Sequence, residues 1–412
     1  MRSSRIPVVG MIVLLTLSGI PPSVTAPLPT SAQQDGTGTV KHTANGSLSY
    51  LSINGSIKRN DTVMLSQDVG SAVSLETVKF KQEFEHKRIK AADENASNET
   101  AFTIAKLETI ETRTNELRER QNKKIQQYNE GEIASKTFLR ELALITSEAD
   151  RIQVLAGYLT EYAENDTLAR QANDIKQELY MFKGPVRTRI RSALNGDPTA
   201  PNRFFVRTST AGIELGTIDD SGEERTYVRE TYLDGARSRP DSPKELGATY
   251  MRKKVTEQYG ISKDYIQEEF GVASFYRYKL FPPEYVSSED GITHYVDRGS
   301  GNIVFERQKV PIEEERTVEH EPKTNRTEQL TLTQRTTFPG GYMYVRLTDP
   351  DGEPLNGTVS VDGRTVGTTA EDSLLMLQPS NGSTITGTVG SKNVSVTVGN
   401  ASRQPPAPAG NP

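Results

Sequence analysis

Residues 138–159 read FLRELALITSEADRIQVLAGYL. Phe138, Leu142, Ile145, Ala149, Ile152, Ala156 and Leu159 recur in alternating steps of four and three, the a/d seam of three heptads. The spacing predicts a long helix with one apolar stripe. Upstream, Leu107, Ile110, Thr114, Leu117, Gln121 and Tyr128 keep the register; Lys124 breaks it and neighbouring Ile125 fills the gap. Downstream, Leu168, Ala172, Ile175, Leu179, Phe182 and Val186 repeat it, and a weaker amphipathic run covers 73–91. Asn- and Gly-containing stretches at 95–100, 129–131 and 164–166 are helix stops, because both residues tolerate the left-handed cap. Short connections favour antiparallel neighbours. Residues 71–195 are therefore expected to form an antiparallel helical bundle or coiled-coil hairpin, with the first and third connections at one end.

The remaining chain is multidomain α+β in pattern. From Arg203 the apolar period changes to two. Phe205–Arg207 and Ile213–Leu215 flank Ala211-Gly212 as a hairpin, and 226–230 reads as a third strand. A helix is expected from about residue 242 to Tyr259, then strands at 274–278, 292–296 and 302–305, the last two joined by Asp297-Arg-Gly-Ser-Gly301. This makes 196–312 a central α+β domain. Residues 329–400 carry short alternating runs at 330–332, 342–347, 357–361, 374–377, 385–389 and 394–398, the spacing of an immunoglobulin-like β-sandwich. Residues 33–70 read as a flexible glycosylated linker and Glu-rich 313–328 as a charged linker. The Pro-rich 401–412 reads as a disordered tail.

Residues 1–32 have the form of a secretory signal: Arg2 and Arg5, an apolar run over 8–20, and Thr30-Ser31-Ala32 before Gln33. The alternative is a retained anchor, although the run is shorter than the ~20 residues that span a bilayer. Eleven of 19 asparagines lie in Asn-X-Ser/Thr sequons: Asn45, Asn54, Asn60, Asn95, Asn98, Asn165, Asn325, Asn356, Asn381, Asn393 and Asn400. That enrichment predicts an N-glycosylated extracellular or cell-envelope protein. No membrane span is expected in the mature chain.

Apolar residues make up 34 % of the chain and cysteine is absent, so packing alone must hold the fold. The net charge of −5 does not suit nucleic acid, whose phosphates call for basic patches. His42, His86, His294 and His320 make no metal-binding spacing, and no nucleophile elbow, phosphate loop or dinucleotide fingerprint occurs. His86 is expected to be an exposed helix residue. Asp349, Asp351 and Gly352 read as a β-turn rather than a calcium loop, because the EF-hand spacing fails. No catalytic, cofactor or metal residue is assigned. Arg187, Arg189 and Arg191, on a short helix after Gly184-Pro185, form a local basic cluster with Lys183 nearby. Arg187 and Arg191 share a face, as an anion contact or as a solvated face.

The hairpin His294–Val304 resembles the PepSY-type module, which implies peptidase binding or inhibition. Residues 345–363 are similar to carboxypeptidase-regulatory-like and other immunoglobulin-like secreted modules, although Ala370-Glu-Asp-Ser373 departs from their usual Asp-Gly turn. The segments Gly184–Ile190 (GPVRTRI), Phe205–Ser209 (FVRTS), Thr226–Glu230 (TYVRE) and Phe338–Gly341 (FPGG) carry a wider likeness. Through them the chain resembles a group of secreted multidomain proteins of salt-loving archaea with domains of unknown function. That resemblance implies the domain order above and no catalytic residue. The near balance of 49 basic and 54 acidic residues departs from the acidic excess such proteins usually carry. The expected function is a non-enzymatic interaction protein with an unknown protein or glycan partner at the cell surface. The alternatives are a peptidase-binding protein acting through the α+β domain and a carboxylate-dependent hydrolase.

Overall fold

The seam at 138–159 lies in a helix whose seven seam residues are at most 3 % exposed. The computed structural model of the chain describes residues 39–41, 50–53, 55–93, 98–163, 165–222, 224–238, 247–259, 266–272, 275–280, 291–312, 322–336, 341–369, 373–379 and 382–398. The expected signal segment, the tail and the sequons at Asn45, Asn54, Asn95, Asn381 and Asn400 lie outside them, as do His42 and His320.

The N-terminal part comprises β1 (Thr39–Lys41), β2 (Tyr50–Ser52), β3 (Ile57–Met64), α1 (Val69–Asp93), α2 (Glu99–Asn129), α3 (Ser135–Tyr162), α4 (Asp166–Glu178) and α5 (Pro185–Asn195). A 3-10 turn, Leu179–Phe182, joins the last two helices. Helix α3 is central, with α1, α2, α4 and α5 all packed on it. That explains why Leu139, Ala143, Thr146 and Leu155, off the predicted seam, are also buried. In α2 the buried set is Leu107, Ile110, Thr114, Leu117, Gln121, Ile125 and Tyr128 with Thr103, so Ile125 does replace Lys124 in the seam. Asp68 accepts a hydrogen bond from Ser71 N at 2.7 Å and caps α1. Asn98 and Asn165 cap α2 and α4 through side-chain oxygens, and Gly196, at φ +82°, ends α5.

The central part comprises β4 (Arg203–Ser209), β5 (Ile213–Asp219), β6 (Thr226–Tyr232), α6 (Ala248–Tyr259), β7 (Ile266–Val272), β8 (Phe275–Leu280), β9 (Gly291–Asp297) and β10 (Ile303–Pro311). These strands and β3 form one antiparallel sheet in the order β3-β4-β5-β6-β10-β9-β8-β7. The expected hairpins and helix are present; β7 is an added strand. The expectation of a linker over 33–70 fails for its described residues, 39–41, 50–53 and 55–70. Val63 and Leu65 are buried, Tyr50, Leu51 and Ile53 are at most 5 % exposed, and β3 pairs with β4 from Ile57↔Ser209 to Met64↔Arg203. The sheet therefore crosses the boundary expected at 195/196. Helices cover one face, where Val228, Glu230 and Tyr232 lie. The other face, with Tyr227, Arg229 and Thr231, is covered by β2, α6 and Tyr342.

The C-terminal part comprises β11 (Lys323–Arg326), β12 (Thr331–Thr336), β13 (Tyr342–Thr348), β14 (Thr358–Val361), β15 (Arg364–Thr368), β16 (Leu374–Leu377), β17 (Thr384–Val389) and β18 (Lys392–Thr397). Two four-stranded sheets, β11-β12-β13-β16 and β15-β14-β17-β18, make the expected β-sandwich. Strand β11 falls inside the predicted charged linker 313–328, which is corrected for those residues: Lys323–Arg326 pairs with β12. Asp349 Oδ1 accepts from Asp351 N and Glu353 N, both at 2.9 Å, as the turn reading requires.

Candidate functional site

The sheet carries ionised side chains on both buried faces. On the face away from the helices, Arg207, Glu214, Arg229 and Glu306 alternate in sign across the adjacent strands β4, β5, β6 and β10. Arg229 Nη1 donates to Glu306 Oε1 at 2.7 Å and its Nε to Glu214 Oε1 at 3.0 Å. Arg207 Nε donates to Glu214 Oε2 at 2.6 Å. Segment β2 closes this ladder: Leu51 N donates to both Glu306 oxygens at 3.0 Å, and Leu51 O accepts from Arg229 Nη2 at 2.5 Å. Tyr259 of α6 donates to Glu306.

These contacts set the ionisation of the group. Burial works against the Glu214 carboxylate, but Arg207 and Arg229 outweigh it and hold its pKa below the usual range. For Glu306 burial wins over Arg229, Tyr259 and Leu51 N, and its pKa is raised. Tyr50, under Arg229 at 4.9 Å, is pushed up to about 12, first by burial and then by Glu214. His294 is completely buried; its Nδ1 lies 3.8 Å from Glu306 Oε2, and neither ring nitrogen is hydrogen-bonded among the described residues. Burial lowers its pKa to about 3. The whole set is sealed under β2 and α6, and its charges neutralise one another.

The predicted anion contact at Arg187 and Arg191 is corrected. Arg187 is fully buried; its Nε donates to Glu230 Oε1 at 2.8 Å and its Nη1 to Gln121 Oε1 at 2.6 Å. Arg191 Nη1 instead reaches Asp150 Oδ2 at 2.5 Å. Both guanidiniums are held by chain carboxylates, Arg189 binds Asp219, and Lys183 Nζ lies 2.6 Å from Asp150. The Gly-Pro-Val-Arg motif acquires a physical reason. Glu230 Oε2 accepts from Val186 N at 3.0 Å, so a carboxylate sits at the start of α5, where helix N–H groups are free. A Cβ on Gly184 would overlap that carboxylate.

An open feature lies at the other end of the helices. The His86 and Lys90 side chains of α1 and the Val154, Gly157, Tyr158, Glu161 and Tyr162 positions of α3 line a groove of about 320 Å³. Tyr158 and Tyr162 stack with ring centroids 4.5 Å apart, and His86 meets Tyr158 edge-on at 5.5 Å. His86 is thus half-buried, against the expectation of an exposed residue, because Tyr158 covers it. Tyr162 is 53 % exposed. Gly157 sits inside α3, where glycine costs about 1 kcal/mol relative to alanine. A Cβ there would meet nothing within 4 Å, so packing does not require the glycine; its effect is to keep the groove floor low.

The same groove shows that the C-terminal ends of α1 and α3 lie together. The capping residues Asn98 and Asn165 start the next helices at that end, away from the sheet, to which Asn129 of the second connection bonds. Both are exposed, and each uses Oδ1 as the cap acceptor. Asn356 and Asn393 are exposed as well. Asn60 is half-buried in β3, and Asn325 Nδ2 donates to Ser395 O at 2.6 Å.

Three sequence families account for most of the chain. Residues 6–199 match a domain of unknown function (DUF7096), 204–315 a family of unknown function (DUF7094), and 321–396 the archaeal fibronectin-III type-like domain. The chain is thus a multidomain archaeal protein that joins two domains of unknown function to a fibronectin-III type-like sandwich. No curated protein and no solved structure matches it. The boundary between the first two matches runs through the shared sheet, since β3 belongs to one and β4–β10 to the other. Among the described residues, no helix is long and apolar enough to cross a membrane.

Proposed function

We propose that this is a secreted, N-glycosylated, non-enzymatic interaction protein. The helix tip is its binding end, and the fibronectin-like sandwich is its spacer. The observation that carries the reading is the aromatic groove at 154–162 with His86 and Lys90, set at the end where Asn98 and Asn165 stand. Stacked Tyr158 and Tyr162 offer apolar faces, and Lys90 and Glu161 offer charge of both signs. This combination suits a sugar ring or an aromatic-bearing peptide at the cell surface. Buried ion pairs hold the sheet and helices together, so the groove stands on a rigid support.

Intact-mass and peptide mapping of the native protein test the secretion and glycosylation parts. The mature chain should begin at Gln33, with glycans at Asn98, Asn165, Asn356 and Asn393 and bare side chains at Asn60 and Asn325. An unprocessed N terminus with bare Asn98 and Asn165 would remove the basis for the reading.

A further inference from the structure

Helix α1 has two apolar faces. Leu75, Val78 and Ile89 are buried toward α3, whereas Val69, Val73, Phe80 and Phe84 are 71, 61, 69 and 60 % exposed on the opposite side. In heptad register, Val73 and Phe80 take d positions and Thr77 and Phe84 take a positions. The residues flanking this outer seam are ordered by charge. Glu76 and Glu83 occupy successive g positions and Lys81 and Arg88 successive e positions, all exposed. None of the four forms an ion pair within its own chain among the described residues.

We propose that the outer face of α1 is a homodimer interface in which two copies pair in parallel. In a parallel two-stranded coil, g of one helix meets e of the next heptad on its partner. That places Glu76 beside the partner's Lys81 and Glu83 beside the partner's Arg88, on both sides of the seam. An antiparallel pair would set g against g and e against e, bringing acid to acid and base to base. The charge order therefore selects one orientation of a second copy of this chain. The helix is already held by α3, so association has no helix nucleation to overcome. Four phenylalanine rings, two from each copy, would bury on the order of 500 Å². With the valines and the stems of the flanking charges, the contact reaches the low end of stable interfaces, ~1,200 Å². Lys87 at the next d position ends the apolar part of the seam. Micromolar dissociation is the expected strength.

The test is sedimentation of the full mature chain across roughly 1–200 µM. Wild type should pass from monomer to dimer in this range, and Phe80→Glu should remain monomeric. The pair Glu76→Lys with Glu83→Lys, and the pair Lys81→Glu with Arg88→Glu, should each lose dimerisation at least tenfold. Mixed in equal amounts, the two charge variants should associate again. These side chains are exposed, and circular dichroism checks that the variants stay folded. Because the chain has no cysteine, Val73→Cys creates a sole thiol, and a parallel pair should oxidise readily to a covalent dimer. A wild type that stays monomeric throughout, or charge variants that dimerise as well alone as mixed, would overturn the proposal.

Discussion

Arg229 and Glu230 are consecutive on β6 and serve opposite faces of the same sheet, at 1 and 2 % exposure. Arg229 joins Glu214 and Glu306 under β2, and Glu230 joins Arg187 under the helices. Two adjacent residues thus tie the central sheet to the segment before the helices and to the helices themselves. Such pairs contribute less net stability than their contacts suggest, yet losing one partner is severe, because the other charge is left buried and alone.

Glu230→Ala should therefore cost about 3–5 kcal/mol, since it strands Arg187 and frees Val186 N. Urea unfolding measures it. Combining it with Arg187→Met should cost clearly less than the two single changes added together, because the charges are lost as a pair. Additive losses would show that the two groups are not coupled.

Gly184→Ala places a methyl group where the Glu230 carboxylate sits. The expected outcome is a loss of a few kcal/mol and a drop in thermal midpoint. Gly157→Ala, whose methyl meets nothing within 4 Å, should instead add about 1 kcal/mol of stability and raise the midpoint. Equal effects at the two sites would refute the distinction.

His294 gives the fold a pH dependence. Its folded pKa, about 3, is depressed below the unfolded 6.5. Between those values the unfolded chain takes up a proton that the folded chain refuses. The contribution is fully present above pH 6.5 and is lost as pH falls toward 3. From pH 6.5 to about 4 the loss is on the order of 3 kcal/mol. Glu306, whose pKa is raised, acts with the opposite sign, so the comparison must be with His294→Phe. That variant should show a flatter acid limb in urea midpoints; an unchanged limb would remove His294 from the account.

A chain beginning at residue 55 lacks β2 and leaves Arg229 and Glu306 without Leu51. It should unfold at lower urea than the mature chain by several kcal/mol. If residues 33–54 were only a linker, the two midpoints would agree.

The parts legible in sequence were those whose apolar residues recur at one regular local period. The α3 seam and the hairpin at Ala211-Gly212 show this, since local period alone specifies them. Strand β3 was not legible. Its Asn60 and Asp61 read as linker, but Asp61 accepts from Tyr128 and Ser135. Burial opposes ionisation of Asp61, but those hydrogen bonds and Arg59 outweigh it and lower its pKa. The burial of Arg207, Glu214 and Arg229 was not legible either, because alternation along a strand cannot distinguish water from a partner of opposite charge. Arg187 was misread for the same reason. The groove had no signal beyond the oddity of Gly157 within a strong helix, because its two walls are about 70 residues apart.

The most direct measurement is a side-by-side capture from native cell-surface and medium fractions at native salt, read by mass spectrometry. The baits are the wild-type chain, Tyr162→Ser and Gly157→Leu. The account predicts a stoichiometric partner, protein or glycan-bearing, on wild type that both variants lose while their unfolding stays cooperative. Equal capture by all three baits, or none by wild type, would contradict the helix-tip groove as the binding end.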